Sequence, residues 1–425
     1  MSNARTIFPM RSLSSAGVKL LDCDHRTPKP SPSGFPYIAI PDIQNGHINL
    51  ANTRLISKAD FDSWTRKTKP QAGDIIMTRR GRVGDTAVVP KGLECAIGQD
   101  LVILRSDGKR VLQKFLRWAL RGPLYEREVQ KYLNVGAVFY SLNCGDIPKF
   151  EIPVPSIPEQ SAISDVLDVL DSKIELNHQM NKTLEAIGRA VFERWFVDFE
   201  FLNEEGKPYK SSGGEMVYNE ELGSNIPKGW EVKPIDEVAD FLNGLAMQKF
   251  PAREGEEFLP VIKIKELREG ITESSDRANL DVPKEYVVSD GNILFSWSGS
   301  LEVVIWGFGN GALNQHLFKV TSKKYPKWFF YYWLLQFLPE YRAIASGKAT
   351  TMGHIQRHHL SASKVIVPDD ESLGKMDKVL NPIIELRVKL QVESRLLSEI
   401  RDCLLPKLMS GKIRVPVPMK NLEVS

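Results

Sequence analysis

Hydrophobic positions along this chain follow two rhythms, and each rhythm occurs twice. The first is short and alternating. Pro36-Tyr37-Ile38-Ala39-Ile40 leads to Gly46, and Pro260-Val261-Ile262-Lys263-Ile264 leads to Gly270. Alternation bounded by glycine predicts a half-buried strand and a turn. Gly73-Asp74-Ile75-Ile76-Met77-Thr78 and Gly291-Asn292-Ile293-Leu294-Phe295-Ser296 predict a second pair of turns feeding short apolar strands. One strand runs into Arg79-Arg80-Gly81-Arg82, the other into Trp297-Ser298-Gly299-Ser300. Gln99-Asp100-Leu101 and Gln315-His316-Leu317 follow in the same order.

The second rhythm is helical. After Ile152-Pro153-Val154-Pro155 comes a 3/4-spaced stripe of Ile163, Leu167, Leu170, Ile174, Leu184, Val191 and Trp195, closing on Phe192-Glu193-Arg194-Trp195-Phe196. After Val365-Ile366-Val367-Pro368 comes Met376, Leu380, Ile383, Leu386, Leu390, Leu397 and Leu404, closing on Leu404-Leu405-Pro406-Lys407-Leu408. The two entry motifs lie 213 residues apart (368 − 155). Ser156-Ile157-Pro158-Glu159 has capping-box spacing, with proline tolerated in the first turn. Asp369-Asp370-Glu371 supplies an acidic first turn. A helix over 159–198 would span roughly 60 Å at 1.5 Å per residue. Asn177 and Asn181 interrupt its stripe. They either fix register on a helix–helix seam or face water. Pro382 is expected to kink the second helix, Pro406 to kink or end it, and Gly411 to stop it.

Two amphipathic helices in one chain cover each other most simply as an antiparallel pair, with a homodimeric coiled coil as the rival. Each copy is otherwise mostly short strands with one or two helices, so the predicted class is α+β. Two tandem globular domains with mixed or antiparallel sheets are separated by two long antiparallel coiled-coil helices. The boundaries read as domains over 1–156 and 229–369, helices over 157–201 and 370–412, and a tail over 413–425. The stretch 202–228 holds Gly206, Pro208, Ser211, Ser212, Gly213 and Gly214, and reads as a linker.

Composition adds bounds. A chain of 425 residues with 42% hydrophobic and 26% charged residues suits two or three soluble domains. A net charge of only +3 fits a nucleic-acid partner if basic residues cluster locally. Cys23, Cys95, Cys144 and Cys403 are scattered and read as reduced thiols. No signal-peptide pattern opens the sequence. The apolar run Trp328 to Leu338 is too short to span a bilayer and reads as a buried helix, with Lys114 to Leu120 as its counterpart.

Catalytic patterns are missing. No GxxxxGK[ST] loop occurs, and Gly307-Phe308-Gly309-Asn310-Gly311 lacks the helix and acidic residue of a nucleotide fold. His354, His358 and His359 lack a cysteine or carboxylate at zinc-ligand spacing. Asn381-Pro382-Ile383-Ile384 lacks the second proline and aromatic ring of an amino-methyltransferase motif.

The residues suited to nucleic acid lie in loops. Arg79, Arg80 and Arg82 can pair phosphates or fork onto guanine. Their counterparts are Trp297 and Ser298. Lys348, Thr350, Thr351, His354, Gln356 and Arg357 form a second candidate group, answered in the first copy by Lys131, Tyr140 and Asn143. Leu167, Leu170, Ile174, Leu184, Trp195, Phe196, Leu390, Leu397 and Leu404 are the candidate helix–helix or subunit contacts.

Several motifs together resemble the specificity subunit of type I restriction-modification systems. They are Ile157-Pro158-Glu159-Gln160, Phe192-Glu193-Arg194-Trp195-Phe196-Val197-Asp198-Phe199, Ile226-Pro227-Lys228-Gly229-Trp230-Glu231 and Leu404-Leu405-Pro406-Lys407-Leu408-Met409-Ser410-Gly411. The first domain departs from the pattern in lacking a Pro-Lys-Gly-Trp opening. The resemblance implies two target-recognition domains, each reading one half of a split sequence on double-stranded DNA. It implies no catalysis and no cofactor in this chain. Two methylation subunits would bring S-adenosylmethionine, and two translocase-nuclease restriction subunits would bring ATP and Mg2+. A cytoplasmic location goes with that role, and no membrane partner.

Overall fold

A computed structural model describes residues 6–24, 26–135, 140–347 and 353–416. The chain forms two compact units. One comprises residues 1–172 and 398–425, the other 173–397.

The first unit is built on a four-stranded antiparallel sheet in the order Val18–Asp22, Leu101–Ser106, Ile75–Thr78, Thr86–Val88. Ile75–Thr78 is buried at every position, which explains its unbroken apolar run. A smaller sheet orders Arg54–Ile56, Phe35–Ile38 and Ala96–Ile97, the last two parallel. Met10–Ser12 pairs with Glu151–Pro153, so the domain's start and end meet beside the first long helix.

The second unit repeats this plan. Its main sheet runs Asp240–Asn243, Leu317–Thr321, Ile293–Ser296, Val303–Ile305, again antiparallel. Its smaller sheet contains the same kind of parallel pair, Leu259–Ile262 with Gly311–Leu313. Glu231–Pro234 closes against Lys364–Val367. The apolar run lies in helix Lys327–Ser346, where every residue from Trp328 to Leu335 is buried, and its counterpart is helix Gln113–Ala119. No helix among the described residues is long and apolar enough to cross a membrane.

The long helices are Ile157–Phe196 and Asp370–Met409. Both start as their sequences predict. The Glu159 carboxylate accepts from the Ser156 N–H at 3.2 Å, and Asp369 accepts from the Ser372 N–H at 2.8 Å. Pro406 does not end the second helix, which runs on to Met409 before Gly411 turns at φ +74°. In the first unit Leu167, Ile163, Leu405, Leu408 and Met409 enter the domain core. In the second, Phe192, Phe196, Leu373, Met376, Leu380 and Ile384 do so.

The helices run antiparallel in the second unit, since partners of rising number on one have falling number on the other. Asn177, 1% exposed, donates to Glu393 at 2.9 Å. Asn181 donates to the Arg387 carbonyl at 2.9 Å and accepts from Arg387 Nε at 2.9 Å. Both asparagines therefore lie on the seam. The second stripe also shifts in phase: Leu386 is 38% exposed, while Ile384 and Arg387 face inward. Arg387 is tolerated there because Glu185, Asn181 and the Tyr331 hydroxyl satisfy its donors.

The glycine- and serine-rich stretch 202–228 is folded. Met216–Asn219 and Ser224–Pro227 pair as a hairpin. Phe201 stacks between Tyr209 and Trp230, with centroids 4.6 and 4.7 Å away. Its few apolar residues, Ile226 among them, find a core that flexible composition concealed.

Candidate nucleic-acid interface

Each main sheet delivers a loop from its most buried strand. In the first unit Thr78 turns the chain, its N–H donating to Asp85 O at 2.9 Å and its carbonyl accepting from Gly84 at 2.9 Å. Gly81 and Gly84 take φ of +67° and +89°, conformations that suit glycine. The three arginines then separate in role. Arg82 donates to the carbonyls of Ile40 and Ile43 at 2.5 and 2.6 Å and lies 3.4 Å from Asp85. Arg79 donates to Gln99 O at 3.1 Å. Both brace the loop against its own domain. Arg80 is 54% exposed and meets Asp100 at 3.4 Å. Burial raises the Asp85 carboxyl above its ordinary range, and the Arg82 charge pulls it partly back.

The 140–143 segment joins this loop. Arg80 and Ser141 form an antiparallel bridge, and the Leu142 N–H donates to Arg79 O at 2.9 Å. Tyr140 is exposed on the short ribbon. Asn143 anchors the next turn through Asp146 at 3.2 Å. Lys131 ends its helix with its ammonium 3.7 Å from Glu128, so its charge pairs there and not with the arginine loop.

The second unit has the same backbone frame with other side chains. Ser298 and His354 form the antiparallel bridge, and the Ile355 N–H donates to Trp297 O at 3.0 Å. Trp297 donates to Asn243 at 2.9 Å and packs near the rings of His316 and Phe318. The Ser298 hydroxyl sits 3.0 Å from His316 Nδ1. Arg357 donates to Phe241 O at 3.3 Å, with its guanidinium 5.8 Å from the Phe318 ring. Gln356 is exposed at the head of a short helix. Lys348, Thr350 and Thr351 lie outside the described residues.

Sequence reasoning missed Asp100, His316 and Asn243. The repeat signal was present in Gln99-Asp100-Leu101 and Gln315-His316-Leu317, and the structure shows its use. The middle residue of each triplet faces the loop of its own unit.

Of the helix candidates, Leu167, Ile174, Phe196 and Leu390 are buried, and Leu170, Leu184, Trp195, Leu397 and Leu404 are half-buried. The domains are also pinned to the helices by polar links. Trp118 donates to Asp168 at 2.8 Å in the first unit, and Trp328 to Asp377 at 2.8 Å in the second. Gln160, fully buried, donates to the carbonyls of Arg110 and Pro155 and accepts from the Leu112 N–H. Asp171, 3% exposed, meets Arg117, Arg401 at 2.8 Å and His47 at 3.0 Å. Burial alone would raise its carboxyl, but the His47 hydrogen bond and the Arg117 charge outweigh it and hold the group far below the usual range.

All four cysteines are free, and burial pushes the Cys23 and Cys95 thiols up to about 12, which suits packing and not reactivity. Among the described residues no group of three or more His, Cys, Asp or Glu side chains is placed to hold a metal ion.

A duplicated domain is also what comparison with known proteins finds. The model of the type I restriction modification DNA specificity domain matches twice, over residues 26–186 and 227–396. The chain belongs to this family. The role that goes with membership is DNA sequence specificity within a type I restriction-modification complex, and not catalysis. The MjaIX specificity subunit of Methanocaldococcus jannaschii is 32% identical over 81% of this chain and 78% of its own length. The HindI specificity subunit of Haemophilus influenzae is 24% identical over 75% of this chain and 81% of its own. The crystal structure of a type I system S subunit from M. genitalium shares the fold, with a TM-score of 0.56 at 17% identity. The match covers 96% of this chain and 97% of that one.

Proposed function

We propose that this chain reads a bipartite, asymmetric target on double-stranded DNA, one half-site per recognition domain, with an unspecified gap between them. The observation that carries the reading is one backbone frame bearing two unlike tips. The bridge Arg80–Ser141 and the bridge Ser298–His354 place corresponding residues alike, yet one tip is cationic and the other aromatic and hydroxylic. Identical tips would favour identical half-sites and a palindrome. Unlike tips favour two sequences, since base edges are told apart by donor and acceptor pattern. Tyr140, Asn143, Gln356 and Arg357 extend the same surfaces, and Arg357 adds a cation that suits phosphate.

The long helices serve as spacer and as dock for two methylation subunits that carry S-adenosylmethionine. Two ATP- and Mg2+-dependent restriction subunits complete the assembly, in the cytoplasm. The half-buried Leu170, Leu184, Trp195, Leu397 and Leu404 suit such contacts, because partly covered apolar residues gain from a further partner. The test is methylome sequencing of a host carrying the chain with its methylation subunits. A two-part motif with unlike halves is expected. A continuous or palindromic motif overturns the reading.

A further inference from the structure

We infer that Arg80 and Asp100 together read one G·C base pair in the first half-site, with Arg80 forking onto guanine and Asp100 acting as its positioning residue. This rests on the bipartite reading above and narrows it to one residue pair and one base pair.

The three loop arginines are not equivalent. The Arg82 guanidinium is occupied by two backbone carbonyls and lies beside Asp85. Arg79 is half-buried and holds Gln99 O. Arg82 is nearly as exposed, at 50%, but its guanidinium is tied down, whereas Arg80, 54% exposed, meets only Asp100 among the described residues, its Nη1 3.4 Å from Asp100 Oδ1. That oxygen is out of solvent contact and makes no hydrogen bond among the described residues. Asp100 is itself fixed, because its carbonyl accepts from the Arg79 N–H at 2.9 Å. A loosely engaged guanidinium thus stands in front of an under-used carboxylate carried on an anchored backbone.

Charge decides between phosphate and base. An arginine neutralised by a neighbouring aspartate is a poor phosphate ligand, since the carboxylate repels the phosphodiester. On DNA the same carboxylate would hold one edge of the guanidinium and leave the other for the base. Guanine presents O6 and N7 as paired major-groove acceptors, the pattern that a planar fork matches and a lysine does not. The second unit puts Ser298 and His316 at the corresponding places, 3.0 Å apart. It has no fork there, so the guanine reading is confined to the first half-site.

The test uses the full chain in complex with its methylation subunits, bearing Arg80→Lys or Asp100→Asn. The readouts are the methylated motif and competition binding with duplexes altered at each position. Lysine keeps the charge and removes the fork. R80K should lose about tenfold or more of its discrimination at one G·C position of one half-site. D100N should weaken the same position less. The other half-site should stay strict, which also reports that the protein is folded. If R80K retains full discrimination and loses affinity evenly across sequences, Arg80 is a phosphate contact and the proposal is overturned. A half-site with no G·C pair overturns it too. A wild-type motif that is not bipartite would instead overturn the reading beneath it.

Discussion

The two units solve the same mechanical problems with different forces. At the loop tip the first unit uses guanidinium groups on carbonyls and carboxylates, and the second uses Trp297 packed near His316 and Phe318. At the long helices the first unit gathers Arg117, Arg401 and His47 around Asp171. The second packs Phe196 near Trp230, Trp328, Phe329 and Trp333, with centroids 5.6 to 6.0 Å away. Among the described residues it keeps one buried cation, Arg387, but sets that against Tyr331 as well as Glu185. Topology is therefore held constant while the source of cohesion changes. Strand order depends on where apolar residues recur. Ionic or aromatic side chains can then fill the remaining contacts, provided every buried polar group is answered.

The largest effect should come from Phe196→Ala. Phe196 is 1% exposed at the centre of the aromatic cluster. Truncation should cost about 3–5 kcal/mol, the range for a buried aromatic ring. Hydrogen exchange resolved by peptide should show faster opening over 173–397, with the first unit's sheet unchanged. Equal loss in the first unit would break the comparison, because the rings would then stabilise both.

Next in size is Asp171→Asn. Removing the carboxylate leaves Arg117 only Asp168 at 3.3 Å and Arg401 only the exposed Asp402 at 2.9 Å as counter-charges, at about 2 kcal/mol. The loss should appear in the first unit's peptides. It should also change the response to acid. The folded carboxyl of Asp171 is depressed. Its stabilisation is therefore fully present above the unfolded value near pH 4 and falls away as pH drops below it. The asparagine variant should show a flatter acid limb than wild type, and Phe196→Ala should show the same limb as wild type. A parallel acid profile for D171N and wild type would mean that the cluster adds no ionic stability.

The same contrast explains what was legible in the sequence. Repeated alternation gave both sheets and both loops, because strand position depends on apolar spacing alone. Both helix starts were legible because capping needs particular residues at fixed offsets. The motif Ile157-Pro158-Glu159-Gln160 proves structural, since Gln160 locks helix to domain by three hydrogen bonds. Three kinds of feature stayed hidden. Arg387 sits inward where hydropathy points to Leu386, because its partners come from residues about 200 positions earlier as well as from Tyr331. Hairpin 216–227 was masked by glycine and serine around a few buried apolar residues. Asp100 and His316 were visible as a repeat, but nothing in spacing says that the middle residue of each triplet faces the loop. Long-range polar pairing leaves no periodic trace.

The smallest effect, and the sharpest for the comparison, is Ser298→Ala. Ser298 is buried and its hydroxyl lies 3.0 Å from His316 Nδ1. Which of the two donates depends on the imidazole tautomer. Either way the methyl group removes one hydrogen bond and frees the ring to turn, worth about 1 kcal/mol or roughly fivefold. The expected result is a modest loss of discrimination at the second half-site, read by competition binding of the methylation complex at two salt concentrations. The slope of affinity against salt should not move, because no charge is lost and counterion release is unaltered. A slope smaller by about one would mean that this tip holds an ionic contact to phosphate. The second tip would then bind DNA through charge, and the contrast between a charged tip and an aromatic one would fail at the place where it matters for recognition.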